Sequence, residues 1–291
     1  MRKAFIDKLA IFGPGLLGGS LAGAVRRHQL AGEICVWARR SAAAEAVVRR
    51  GWADVATTDV AAAVEDAQMV VLATPVGAMP ELARTIVCSN PSSDCLVTDV
   101  GSVKRFVVEN VAPIFDSAKI TFTGSHPMAG GEAAGFDAAR DDLFDDAACI
   151  LTPHAASIPR LRVFWERLGC RVFIMSPAEH DAAIARISHL PHLTASALTL
   201  AALADGPEAR SVIGRGFRDT TRVASADPAL WTEILLKNRS SVEGPLRDLI
   251  QRLSAVLDFL GDADEKALRD VLTEAKRLRD QANDASPISH G

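Results

Sequence analysis

One histidine and one carboxylate, His126 and Glu132, lie six residues apart in the small-residue segment Gly124-Ser125-His126-Pro127-Met128-Ala129-Gly130-Gly131-Glu132. An imidazole with an ordinary pKa of about 6.5 accepts a proton near neutrality, and general-base assistance of that kind is worth roughly 10²–10⁴-fold in rate. Near the N-terminus, Gly13, Gly15 and Gly18 form GxGxxG inside GPGLLGGS, with Leu16 and Leu17 between the second and third glycines. The first glycine permits a tight turn, the second lets backbone approach a pyrophosphate, and the third lets the following helix pack closely with its N-terminal amides toward phosphate. Glycine-rich strand ends often serve only to turn the chain, and a lone histidine is more often structural than catalytic. Here both segments follow apolar strands, so they would emerge at one sheet edge, and that favours function.

The second strand, Ile34 to Trp37, runs into Ala38, Arg39, Arg40 and Ser41, with no carboxylate to bind a ribose 2′-hydroxyl. Two guanidinium groups and a hydroxyl suit a 2′-phosphate instead, through charge-assisted hydrogen bonds of roughly 1.5–3 kcal/mol each. NADP is therefore predicted over NAD. Thr74 and Pro75 close the strand MVVLAT, and Asp99-Val-Gly-Ser-Val-Lys104 follows CLVT. Loops at such strand ends line the ligand cleft of open α/β sheets. Ser102 reads either as a helix N-cap or as a side chain facing the nicotinamide.

These segments need a scaffold, and the rhythm of the chain supplies one. From Leu9 to about Thr152 short apolar runs (LAIF, ICVW, MVVLAT, CLVTDV, ITFTG, ACILT) alternate with helical stretches, as in a parallel sheet with crossover helices. After about Pro153 long amphipathic segments dominate. The expected fold class is α/β, a Rossmann-type parallel-sheet domain over residues 1–153 followed by an all-α domain over 154–291. Within the latter, Val242, Leu246, Leu249, Leu253, Val256 and Leu260 step by four and three, the spacing of a seam between packed helices. That seam fits an intramolecular bundle or a dimer interface equally.

Composition excludes several classes. The 32 basic and 36 acidic residues give no general attraction to nucleic acid or membrane, so an anionic ligand must be held by local charge. The apolar run at the N-terminus is too short for a signal peptide and leads into a glycine turn, and no stretch nears the roughly 20 apolar residues of a span. Cys35, Cys88, Cys95, Cys149 and Cys170 are scattered without a CxxC pair, as reduced packing residues would be, so a cytoplasmic location is expected. His192 lies three residues after His189, but a zinc pair needs a third ligand and none is evident, so the site reads as metal-free and His192 as structural.

Taken in order, GPGLLGGS, DVGSVK, GSHPMAGGE, ISHLPH and FRDTTR followed by DPALW resemble the prephenate dehydrogenase family, and they run from residue 13 to 231. The resemblance implies a nucleotide-binding domain followed by a helical dimerisation domain, and a homodimer. It implies that His126 accepts the ring-hydroxyl proton as hydride leaves the same carbon. Ser102 would contact that hydroxyl and the nicotinamide, and Glu132 would shape the pocket. The substrate is a cyclohexadienol with two carboxylates, which arginine recognises well. By motif match Arg186, His189 and Arg222 look like substrate-binding groups, with Arg218 a further candidate. Trp231 resembles a tryptophan that approaches the neighbouring subunit's site. The implied reaction converts prephenate to 4-hydroxyphenylpyruvate on the route to tyrosine.

Alternatives within this chemistry are arogenate or an amino-substituted prephenate as substrate. Outside it stand a β-hydroxyacid dehydrogenase or imine reductase, for which Lys237 is the sole lysine between Lys119 and Lys266, and a non-enzymatic NADP sensor. Neither a fused chorismate mutase nor a separate regulatory domain is expected.

Overall fold

In the computed structural model residues 4–131, 133–153, 158–204 and 207–284 are described. The chain divides into two compact units, Met1–Val242 and Glu243–Gly291. No helix among the described residues is long and apolar enough to cross a membrane.

The first unit opens with strands and helices in alternation: β1 (Ile6–Phe12), α1 (Leu16–Arg27), β2 (Ala31–Trp37), α2 (Ser41–Arg49), β3 (Val55–Thr57), α3 (Val60–Val64), β4 (Met69–Leu72), α4 (Met79–Cys88), β5 (Leu96–Asp99), α5 (Lys104–Ser117) and β6 (Thr121–Thr123). Six strands form one sheet in the order β3-β2-β1-β4-β5-β6, every pairing parallel. This is the Rossmann-type α/β class expected from the apolar rhythm. The central strands are apolar on both faces because helices cover both. Leu9, Ile11, Met69 and Val71 pack into one core, while Ala10, Phe12, Val70 and Leu72 pack into the other. That division follows the two-residue period of a strand. Strand order reverses between β1 and β4, so the crevice at their C-terminal ends is the topological switch point at which such sheets bind ligands.

Gly124 separates β6 from β7 (Ser125–Pro127), and there the chain leaves the parallel sheet. β7 pairs antiparallel with β8 (Ala148–Leu151), which pairs parallel with β9 (Arg171–Ile174) after α6 (Ile158–Arg167). Two expectations change here. The histidine segment begins on a buried strand, not a loop, and ACILT belongs to this second sheet, not to the parallel one. Both strands are so short that their apolar pattern could not reveal their partners. β9 lies beyond Thr152, where the apolar rhythm was read as ending; the run RVFI carries it.

Helices follow: α7 (Pro177–Ile184), a π-helical turn Ala185–His189, α8 (Leu190–Leu203), α9 (Pro207–Ser211), α10 (Arg215–Thr221), a 3₁₀ turn Arg222–Ser225, and α11 (Pro228–Lys237). α12 (Arg239–Gly261) runs into the second unit, whose last described element is α13 (Glu265–Asp284). Along α12, Val242 is buried and Leu246, Leu249 and Val256 half-buried, whereas Ile250, Leu253, Leu257 and Leu260 are exposed.

Candidate active site

The glycine turn is shaped as its sequence requires. Gly13 has φ +105°, and a Cβ there would lie 2.7 Å from the Ala73 carbonyl oxygen. A Cβ on Gly18 would lie 1.9 Å from the Gly13 oxygen, so the first turn of α1 crosses directly over the loop. At Gly15 a Cβ would meet nothing within 4 Å, which leaves open space before the helix start. Gly15 is also the N-cap, so no side chain caps the helix and its first amides stay available. Leu16 and Leu17 begin the helix, half-buried against the core. Beside this turn Thr74 carries a buried Oγ1 with no hydrogen-bond partner, and Pro75 is exposed. Bare helix amides, open space at the middle glycine and an orphaned hydroxyl together fit a dinucleotide pyrophosphate. Arg39, Arg40 and Ser41 are exposed at the end of β2, where α2 begins.

Every polar atom of Ser125, the residue before the candidate base, is engaged. Its N–H donates to Asp99 Oδ1 (3.1 Å) and its carbonyl accepts from Lys104 Nζ (2.6 Å). Its Oγ accepts from Trp165 Nε1 (3.2 Å) and shares a hydrogen bond with Thr98 Oγ1. Lys104 and Asp99 form an ion pair with both side chains fully buried. Burial pushes the lysine's pKa down, opposed by the adjacent Asp99 carboxylate. The lysine thereby ties β5, α5 and β7 to one point.

His126 exposes only 7% of its surface. Its Nδ1 lies 2.8 Å from His180 Nε2, and His180 Nδ1 lies 2.7 Å from Asp181 Oδ1. Burial first, then the neighbouring His180, Lys104 and His189, drive the His126 pKa well below 6.5. The ring is neutral at pH 7 and so able to accept a proton. His180 is also lowered, by burial, although Asp181 pulls the other way.

Local sequence explains why His180 and Asp181 are in place. Ser176 and Glu179 form a capping box that starts α7, which puts His180 and Asp181 at the end of its first turn. The Asp181 carboxylate accepts from the backbone N–H groups of Lys104 (2.8 Å) and Arg105 (3.0 Å). It therefore caps α5 from another helix, at the end where an anion is favoured. The N-cap of α5 is Val103, and Ser102 makes no cap bond; that reading of Ser102 is corrected, because Asp181 already holds those amides. Ser102 itself is half-buried between β5 and α5.

Nine residues after His180, the π-helical turn ends at His189. Pro191 lacks an N–H and would crowd the carbonyl of Ile187, and the widened turn absorbs both effects. His189 is fully buried, its Nδ1 3.1 Å from Asn238 Nδ2, while its Nε2 is buried without a partner. Asn238 Nδ2 also donates to the Asp181 carbonyl (2.9 Å). Trp231 meets the His189 ring edge-on, with centroids 5.9 Å apart, and stacks on His192 at 3.3 Å. Burial lowers the pKa of His189 and of His192 to about 4.

His126, His189 and Trp231 thus belong to one connected network, in which the two histidines are buried and Trp231 half-buried. Arg186 is exposed on the π-helical turn, Arg218 is exposed on α10, and Arg222 is exposed at the start of a 3₁₀ turn that packs against α8. Glu132 lies outside the described residues. His180, Asp181 and Asn238 were not singled out from sequence. The SPAE capping box ahead of HD was the available signal for the first two; nothing local marks Asn238.

Comparison with known proteins bears on this geometry. Residues 21–174 match the model of the prephenate dehydrogenase nucleotide-binding domain, and residues 176–274 match that of the prephenate dehydrogenase dimerization domain. The chain is 30% identical over 277 residues to a prephenate dehydrogenase of Lactococcus lactis, covering 94% of this chain and 77% of the relative. It is 31% identical over 279 residues to a cyclohexadienyl dehydrogenase of Zymomonas mobilis, covering 93% and 94%. A crystal structure of prephenate dehydrogenase from A. aeolicus with hydroxyphenyl propionate and NAD+ superposes with a TM-score of 0.86 at 30% identity, covering 95% of this chain and 98% of that one.

Proposed function

Because this chain belongs to the prephenate dehydrogenase family, we propose that it oxidatively decarboxylates prephenate to 4-hydroxyphenylpyruvate. A bound nicotinamide dinucleotide, NAD or NADP, supplies the hydride acceptor. The observation that carries the reading is His126, a buried imidazole whose pKa burial holds well below the ordinary value, on the strand that follows β6. β6 and β1 run parallel within one sheet, so His126 and the glycine turn leave at the same edge.

The residues divide the work. Gly13, Gly15, Leu16, Leu17 and Gly18 form the pyrophosphate cradle at the start of α1, beside Thr74 and Pro75. His126 takes the ring-hydroxyl proton as the carbon beneath it gives up hydride, and departure of the ring carboxylate as carbon dioxide makes the ring aromatic. Ser102 sits at the end of β5, where it can orient that hydroxyl. His189, Arg186 and Arg222 meet the carboxylates, and Trp231 forms part of the wall. Alignment and one proton transfer suffice, without a covalent intermediate.

Arg39, Arg40 and Ser41 at the end of β2 favour NADP over NAD through the 2′-phosphate. Purified protein given prephenate or arogenate, each with NAD or NADP, tests the whole reading. The expected result is the highest kcat/KM with prephenate and NADP. Turnover of neither substrate with either nucleotide rejects the enzyme reading, and an arogenate preference moves the assignment to the amino-bearing substrate. Arg222→Ala should raise KM for prephenate roughly ten- to a hundredfold, as loss of a charged hydrogen bond does. An unchanged KM removes Arg222 from the substrate site.

The match to a dimerization domain, with the exposed leucine rows of α12, supports a homodimer. Sedimentation should give twice the chain mass of 30.9 kDa; a monomer at micromolar concentration refutes it.

A further inference from the structure

We infer that Asp181 and Asn238 assign opposite tautomers to the two histidines of the site. His126, held through His180, presents a bare Nε2 that accepts a proton; His189, held by Asn238, presents an Nε2–H that donates to a substrate oxygen. The inference rests on the reading of His126 as the base and assigns His180, Asp181 and Asn238 as positioning residues.

Two backbone groups that cannot reverse fix the assignment. The N–H groups of Lys104 and Arg105 point at the two oxygens of Asp181, so this carboxylate stays an acceptor. Its Oδ1 therefore accepts from His180 Nδ1, which must carry the hydrogen. A neutral imidazole protonated at Nδ1 has its lone pair on Nε2, so His180 Nε2 accepts from His126 Nδ1–H across 2.8 Å. The lone pair of His126 is then on Nε2. Burial keeps both rings neutral, and the charged or titratable groups facing them are Lys104, Asp99, Asp181 and His189.

On the other branch the fixed group is the Asp181 carbonyl, which can only accept. It orients the Asn238 amide with Nδ2 toward it, and the same nitrogen turns its second hydrogen toward His189 Nδ1. His189 Nδ1 must accept, so its proton lies on Nε2. That atom is buried with no partner, and an orphaned donor in a native fold points to a ligand. One residue thus organises both rings, its carboxylate acting on the proton acceptor and its carbonyl on the proton donor. A base and an anion-binding donor need these two opposite states.

Ring-nitrogen NMR of protein carrying ¹⁵N-labelled histidine reads the tautomers directly at pH 7.5, with resonances assigned through His126→Asn, His180→Gln and His189→Asn variants. The expected spectrum shows His126 protonated on Nδ1 and His189 on Nε2; the reverse state at either ring overturns the assignment. In turnover, His180→Leu should lower kcat about 100-fold, and His180→Gln, whose amide oxygen can still accept from His126 Nδ1, should recover to within about fivefold of the parent. A glutamine variant no better than the leucine variant overturns the role of His180. Asn238→Asp, which accepts where asparagine donates, should move the His189 proton to Nδ1 and raise KM for prephenate about tenfold with kcat within about threefold. A His189 proton that stays on Nε2 in this variant overturns the role of Asn238. Normal turnover by His126→Asn would remove the base reading, while the parent spectrum would still stand as the test of the tautomers.

Discussion

Replacing His126 with asparagine lowers kcat for prephenate by about 10²–10⁴-fold, the usual worth of a general base, while KM stays within about threefold. The variant is informative because the asparagine amide can sit where Nδ1 sat and keep the bond to His180. What it removes is the proton-accepting Nε2. The pH profile should change with it. Burial, together with His180, Lys104 and His189, lowers the His126 pKa, so the acid limb of kcat/KM in the parent falls below 6.5 and the profile is level through neutrality. The asparagine variant should lose that limb. Comparable turnover in the variant would reject His126 as the base.

The same shifts set an acid limit on the fold. His126, His180, His189 and His192 all have lowered pKa values in the native state, so the unfolded chain binds more protons as pH falls below its own value of about 6.5. Stability is therefore full above that pH and declines toward pH 4, the folded value of His189 and His192.

Lys104→Met should destabilise the first unit by about 3–5 kcal/mol, because it leaves the Asp99 carboxylate buried without its counter-charge. Two backbone donors, Gly101 N–H and Ser125 N–H, still reach Asp99, but neither carries a full charge. Denaturant unfolding measures the loss directly. The double variant Asp99→Asn/Lys104→Met should be more stable than the single one, since the stranded charge is gone. A single variant that unfolds at the parent's midpoint would show that the pair contributes nothing net.

The parallel sheet was legible in the sequence because its central strands β1 and β4 carry the short apolar runs LAIF and MVVL closed by turns, and the glycine motif marks the switch point by itself. The second sheet was not. β7 has three residues and pairs only with β8, which in turn pairs with β9 from beyond α6, an arrangement no local pattern encodes. For the same reason His126 was legible as a residue but not as a strand position. The network behind it was hidden more deeply, since His180 and Asp181 act through geometry between α7 and α5, and Asn238 through a bond to His189 from 49 residues away. Ser102 shows the converse: a helix cap was one of the two readings its position allowed, and a distant carboxylate, Asp181, holds those amides instead.

The passage from one sheet to the other takes a single residue, Gly124, where an added Cβ would lie 2.5 Å from Thr152 Oγ1. Because side chains alternate along a strand, one residue inserted between Thr123 and His126 would turn the imidazole to the opposite side. Length variation among relatives should consequently be barred from this junction and better tolerated beyond Met128, whose N–H still bonds the Ala148 carbonyl.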